Sequence, residues 1–442
     1  MKYLIFFIAL FFTIPAGYIL TFRHKYMKYA VGLLVLPVMF FQAVSINFFS
    51  HETYRGTSRG MEISLIYLVA LAMLTGMTIL FKRKPLFPDN GSRLFLVFFL
   101  MCIPSIINAD NVLFSWFELW KMMMMYLVFL ATYYYLYYYR DFRTIFLGFG
   151  IVATVAFLTV VIQHIRGIHQ AHGVFPHQNS LGMYMNLIAP VFFSYYLNRN
   201  DGWRRFLFAF FFLLASAACM RTYSRGAMVC LPLGCAITAV VSLRWQFHMR
   251  KIKILLPLLL ICCLGGLLLL PNIIKRFETA PRESWMTRQN LGSSAWNMMK
   301  DKPLLGVGLN NWGIKINPPY PYCEYRYNNK RIAADFKEGI VENSYLLVGA
   351  ECGFIALAAF LAWLGYYYMI ACKLLKKFRY SNYFYLPAGM VGGLTAIYLQ
   401  SCLEWVMKQQ ANFIQMMILF AVLSILYKYR ECFISGNARA TL

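Results

Sequence analysis

The chain has 442 residues, of which 60% are hydrophobic and only 13% charged, against roughly 25% charged residues in a soluble domain. That balance excludes a water-soluble globular protein, and the many apolar runs of about 18 residues or more exclude a transmembrane barrel, which would show short alternating segments. The formal net charge of +25 would point to nucleic acid in a soluble protein, but here most Lys and Arg fall in short loops between apolar runs, so nucleic acid is not expected as a partner.

In chain order, hydropathy predicts spans near residues 3–21, 29–49, 62–81, 93–108, 113–137, 143–164, 180–197, 205–220, 226–243, 254–271, 343–371, 384–403 and 411–428. The fold class expected is an all-α polytopic membrane protein with 12 to 13 transmembrane helices. The first run, Tyr3 to Leu20, is followed by Arg-His-Lys and by no small-residue cleavage site, so it reads as a span and not as a signal peptide. Basic loops recur at Arg23–Lys28, Lys82–Lys84, Arg140–Arg143, Arg204–Arg205, Arg244–Lys253 and Lys373–Arg379, in alternate loops, and Lys428 and Arg430 close the last span on the same side. That side is assigned to the cytoplasm. The loops at 50–61, 109–112, 165–179, 221–225, 272–342 and 404–410 then face outward.

The outward segment 272–342 is long enough to have its own structure. A helix is expected from Trp285 to Met299, a break at Pro303-Leu-Leu-Gly-Val-Gly308, and an extended stretch at Pro318 to Pro321. The chain therefore divides into N-terminal transmembrane helices (1–164), central helices with outward motifs (165–271), the long outward segment (272–342) and C-terminal helices with a short tail (343–442). The 11 Cys are scattered without a C-x-x-C pair or a His/Cys cluster, so neither a structural zinc nor a disulfide framework is expected.

Polar groups converge on the outward side. "GVFPHQNSLGMY" (173–184) opens one span, and "MRTYSRGAM" (220–228) links two others. The long segment carries Arg276, Arg282, Arg288, Lys315, Arg326, Lys330 and Arg331, and its return to the membrane carries Glu342 and Asn343. On a continuous helix Arg221 and Arg225 would share a face. Each borders an apolar run on the side where cations are disfavoured. They either snorkel to headgroups or bind a phosphate or diphosphate, whose oxygens suit guanidinium forks. In the first turn of a helix Glu342 would be favoured by the macrodipole, by roughly 0.3–1 kcal/mol. Glu351, nine residues on, points to the opposite helix face. The two are therefore no paired-carboxylate site of the glycosidase kind, and Glu351 reads as an interior, paired acid. His177 and Asn179 follow Pro176 at a span entrance, where a lone His serves structure more often than catalysis. No D-x-D motif is present on the outward side, so no metal and no cofactor is expected.

At these residues the chain resembles the O-antigen ligase and O-antigen polymerase superfamily of bacterial membrane glycosyltransferases, of GT-C type. "GVFPHQNSLGMY" looks like the family's Gly-x-Phe…Asn-x-Leu entry, and "SRGA" (224–227) like its Ser-Arg-Gly segment. Arg288, Ala295 and "PLLGVG" (303–308) look like its Arg-x(6)-Ala…Pro-Leu-Leu-Gly-Val-Gly stretch. "ENSYLLVGAECG" (342–353) looks like its His-Asn-x-Tyr-Leu…Glu-x-Gly close, with Glu342 where ligases usually carry His. The motifs cover about residues 173–360, in order.

The resemblance implies a multi-pass protein of the inner membrane whose active site faces the periplasm. It implies transfer of a glycan from undecaprenyl diphosphate to an acceptor hydroxyl, without metal. The acceptor would be lipid A-core for a ligase, a lipid-linked glycan for a polymerase, or a protein Ser or Thr for an O-oligosaccharyltransferase. Glu342 is then the expected catalytic base. Arg225 and Arg288, with Arg221 third, are expected at the diphosphate, and His177, Asn179 and Asn343 at the substrate. A lipid-linked glycan transporter is the competing class, but it would show paired repeats and broken helices, and no repeat is evident.

Overall fold

A computed structural model of the chain describes residues 2–36, 44–80, 85–257, 260, 282–317, 319–322, 325–327, 330–332 and 339–434. Helices α1 (Lys2–Phe11), α2 (Thr13–Phe22) and α3 (His24–Val35) precede a hairpin of β1 (Ser45–Phe48) and β2 (Met61–Ser64), antiparallel with Ser45 opposite Ser64. Then follow α4 (Leu65–Leu80), α5 (Asn90–Cys102), α6 (Val112–Tyr139), α7 (Phe142–Ile165), α8 (Gln178–Asn198), α9 (Trp203–Arg221) and α10 (Arg225–Trp245). The long segment contributes α11 (Arg282–Asp301), the short α12 (Trp312–Lys315) and the hairpin β3 (Tyr325–Tyr327) and β4 (Lys330–Ile332). The C-terminal part holds α13 (Ser344–Lys377), α14 (Tyr385–Gln400), α15 (Gln410–Lys428) and α16 (Arg430–Ile434).

Among the described residues, seven helical runs have the length and apolarity to cross a bilayer, and the protein is an all-α polytopic membrane protein. The expected span at 29–49 is not one helix: α3 stops at Val35 and Ser45–Phe48 is a strand. Pro37 disfavours continuing the helix, and Ser45-Ile46-Asn47-Phe48 alternates polar and apolar as a strand does. The span expected at 254–271 lies largely outside the described residues. Helix α8 is not among the seven, because Gln178, Asn179 and Asn186 dilute its apolarity. Almost all of it is buried against α9, α10 and α14, so it needs no lipid-facing surface. Helix α15 is the axis of the bundle, with 89% of its apolar window inside the protein.

Four charges are buried at the join of α6, α13 and the turn before α15. Lys408 Nζ stands 3.3 Å from both Glu351 Oε2 and Glu118 Oε1, and Lys121 Nζ 2.7 Å from Glu118 Oε2. Thr57 and Ser58 hydroxyls each donate to Glu118 Oε2 at 2.6 Å. Glu351 is thus an interior paired acid, as its sequence context predicts.

The long segment is joined to α13 by backbone. Helix α13 breaks at Gly353, whose φ of 80° and ψ of 176° are non-helical. The break frees backbone groups that the 303–308 loop then satisfies. Val307 N–H donates to Ala350 O at 2.9 Å, Gly308 N–H to Glu351 O at 3.0 Å, and Phe354 N–H to Pro303 O at 2.8 Å. Apolar packing of Leu291, Ala295, Met298 and Met299 against Leu347 and Ala350 completes the join. Gly353 is required twice, by its positive φ and because a Cβ would stand 2.3 Å from Leu304 O. Gly353→Ala is expected to destabilise the protein by about 1–3 kcal/mol from backbone strain alone. Thermal unfolding in detergent checks this, and an unchanged midpoint would show that the break relaxes at no cost. The expected helix at 285–299 is present and longer, at Arg282–Asp301. Residues 319–322 turn where an extended run was expected, with the Tyr320 hydroxyl donating to Asp110 and the Tyr322 hydroxyl to Asp301, each at 2.5 Å.

Candidate active site

At the end of the bundle covered by α11, the first turn of α8 meets the first turn of α10. His177 caps α8, its Nδ1 accepting from Asn179 N–H at 3.2 Å. Ser224 caps α10, accepting from Ala227 N–H at 3.4 Å. Gly182 permits the close approach, since a Cβ there would lie 2.5 Å from that of Ala227. This packing places Asn179 and Arg225 on the same side of the join, and both act on Glu404. Asn179 Nδ2 donates to Glu404 Oε2 at 2.5 Å.

Arg221 goes elsewhere. Residues 222–224 form a turn between α9 and α10, with Tyr223 in the left-handed region at φ 50°. The helix is therefore not continuous, and the four-residue spacing does not put the two arginines on one face. Arg221 is exposed at the end of α9, with Nη1 3.0 Å from His164 Nε2 of α7.

Arg288, from α11, holds the cluster together. Its Nε forms a close ion pair with Glu342 Oε2, and its Nη2 lies 3.4 Å from Glu404 Oε1. The Glu342 side chain is 35% exposed, that of Arg288 27% and that of Glu404 4%. Two of the three groups are therefore half-buried and the third is sealed from solvent. Burial, and after it the Glu342 carboxylate, push the Glu404 carboxyl up to about 8, against the opposing pull of Arg288, Asn179 and Arg225.

Glu342 stands one residue before the N-cap of α13 and not in its first turn. Asn343 is that cap: its Oδ1 accepts from Tyr345 and Leu346 N–H at 2.9 Å each. Its amide donates to Cys402 O at 2.9 Å. Ser344 adds two ties to the same turn, N–H to Ser401 O and Oγ–H to Glu404 O, both at 2.9 Å. Residues 343–344 thus fix the 401–404 turn, and with it Glu404.

The structure brings together Asn179, Arg225, Arg288 and Glu342, with His177 and Asn343 as caps at the edge. Glu404 is not marked as a site residue by any motif in the sequence. Its one signal is an acid in a short outward loop, at the mouth of a span. Lys315 does not reach the cluster and pairs with Asp110 at 2.7 Å. Arg276 lies outside the described residues.

Residues 210–361 match the model of a family described as O-Antigen ligase. The match supports a relation of this segment to the O-antigen ligase and polymerase superfamily. The segment contains Arg221, Arg225, Arg288, Glu342, Asn343 and the whole hydrogen-bonded join around Gly353, whereas His177, Asn179 and Glu404 lie outside it. No curated protein matches the chain significantly.

Proposed function

We propose that this ligase-like glycosyltransferase moves a glycan from undecaprenyl diphosphate to an acceptor hydroxyl at the periplasmic face of the inner membrane, without metal and with inversion. The observation that carries the reading is the bridge from Arg288 to Glu342 and Glu404, beside Arg225. It gathers two guanidinium groups around Glu404 and one half-buried carboxylate, Glu342, on Arg288, a set that suits transfer from a diphosphate.

The acceptor oxygen forms a bond to the anomeric carbon while the bond from that carbon to the diphosphate oxygen breaks. The electron pair leaves with the diphosphate, where Arg288 and Arg225 stabilise the developing charge. The acceptor proton goes to Glu342, whose exposure leaves it within reach of an incoming hydroxyl. Arg221, out on α9, is suited to the approach of an anionic headgroup and not to the reacting bond. Glu342→Gln removes the base and is expected to slow transfer by about 10²–10⁴-fold, while Glu342→His is expected to restore most of it. Purified protein in liposomes with a lipid-linked glycan donor provides the assay. Near-native rates for the Gln variant would remove Glu342 as base.

Glu342 in the position that ligases fill with His favours a second reading, in which the acceptor is another lipid-linked glycan. The product lost in a deletion strain separates the two: surface attachment of the glycan for a ligase, chain length for a polymerase.

A further inference from the structure

The site as built holds one acid more than the transfer needs. Glu342 and Glu404 both face Arg288, and with both ionised they cancel the charge of Arg288 and Arg225. A diphosphate entering that arrangement would meet a site without net positive charge, and a carboxylate next to its own oxygens. Glu404 is the acid that can yield, because it is sealed from solvent beside the Glu342 carboxylate, and this outweighs the Asn179 amide that donates to its Oε2.

Resting on the donor proposed above, we infer that Glu404 is a positioning residue that holds a proton while the diphosphate is bound, leaving both guanidinium groups to the donor and Glu342 alone ionised to receive the acceptor proton. Below the donor-free value the proton is already in place, and above it the proton comes from solvent as the donor enters and returns to it when the diphosphate leaves. No bond is made or broken at Glu404. The groups facing it are Asn179 from α8, Arg225 from α10, Arg288 from α11 and Glu342 ahead of α13. The nearest charge on its own turn, Lys408, is engaged by Glu118 and Glu351. The carboxyl already sits at about 8 in the donor-free protein, and a bound polyanion raises it further.

Linkage then gives the sign. Donor binding takes up a proton, so affinity is retained below the donor-free value and falls as pH rises through it, by up to about tenfold per unit. The test measures the dissociation constant of undecaprenyl diphosphate for the full-length protein in detergent at pH 7.5 and pH 9.5. The native protein is expected to bind about tenfold or more weakly at the higher pH, and Glu404→Gln to change less than about twofold. Calorimetry of the native protein at pH 8.5 in two buffers of different ionisation enthalpy is expected to show net proton uptake, a readout that needs no variant to fold. Flat binding in the native protein, an equal loss in Glu404→Gln, or no proton uptake overturns the inference and leaves the glycan-transfer reading standing. Failure of undecaprenyl diphosphate to bind at any pH overturns the donor assignment itself, and this inference with it.

Discussion

Arg288→Lys is expected to lower glycan transfer by about 10²–10³-fold, the usual cost of removing one donor that stabilises charge in a transition state. The positive charge is kept, so a purely electrostatic role would survive the change. What is lost is the fork. Arg288 reaches Glu342 through Nε and Glu404 through Nη2, which leaves the rest of the planar group for a phosphate oxygen. An ammonium is a single point and cannot span two acids and a ligand at once. Rates and donor dissociation constants measured separately locate the loss. A fall in turnover larger than the fall in affinity marks an interaction strengthened in the transition state. A variant that keeps a third or more of native transfer would remove the guanidinium from the mechanism.

Lys408→Met is expected to destabilise the protein by about 3–5 kcal/mol, because it leaves buried acids with one cation fewer. Glu351 has no other ion-pair partner among the described residues, whereas Glu118 keeps Lys121, Thr57 and Ser58. The double variant Lys408→Met with Glu351→Gln is therefore expected to recover part of the loss, since it removes the stranded charge along with its partner. Thermal unfolding of both proteins in detergent decides this. If the single variant melts with the native protein, the buried charges do not brace this end of the bundle. Lys408 follows Glu404 by one short turn, so the single variant is expected to lose transfer as well as stability.

The membrane class and most spans are legible in the sequence because apolar length is a strong signal. That signal misleads at 29–49, where a run interrupted by Pro37 gives way to strand alternation. The site was legible as motifs but not as geometry. Arg225, Arg288 and Glu342 announce themselves as charges beside apolar runs, and Asn179 follows a proline at a span entrance. Glu404 carries no spacing to any of them. It meets Arg288 from 116 positions away, through the ties from Asn343 and Ser344 to its turn, and such ties have no sequence periodicity. Helical spacing groups Arg221 with Arg225, and the three-residue turn between them cancels that relation.

The join at Gly353 also bears on how this protein can be divided. The long segment is not a flap hung between two spans, because three of its backbone groups complete the hydrogen bonding of a transmembrane helix interrupted for them. A chimera cut at residue 342 would separate the 303–308 loop from the helix break that receives it, and leave unpaired amides and carbonyls on both parents. The smallest unit that can be exchanged between relatives is the segment together with α13 through Phe354. Acceptor preference, where the segment sets it, would have to be inherited with a piece of the membrane scaffold.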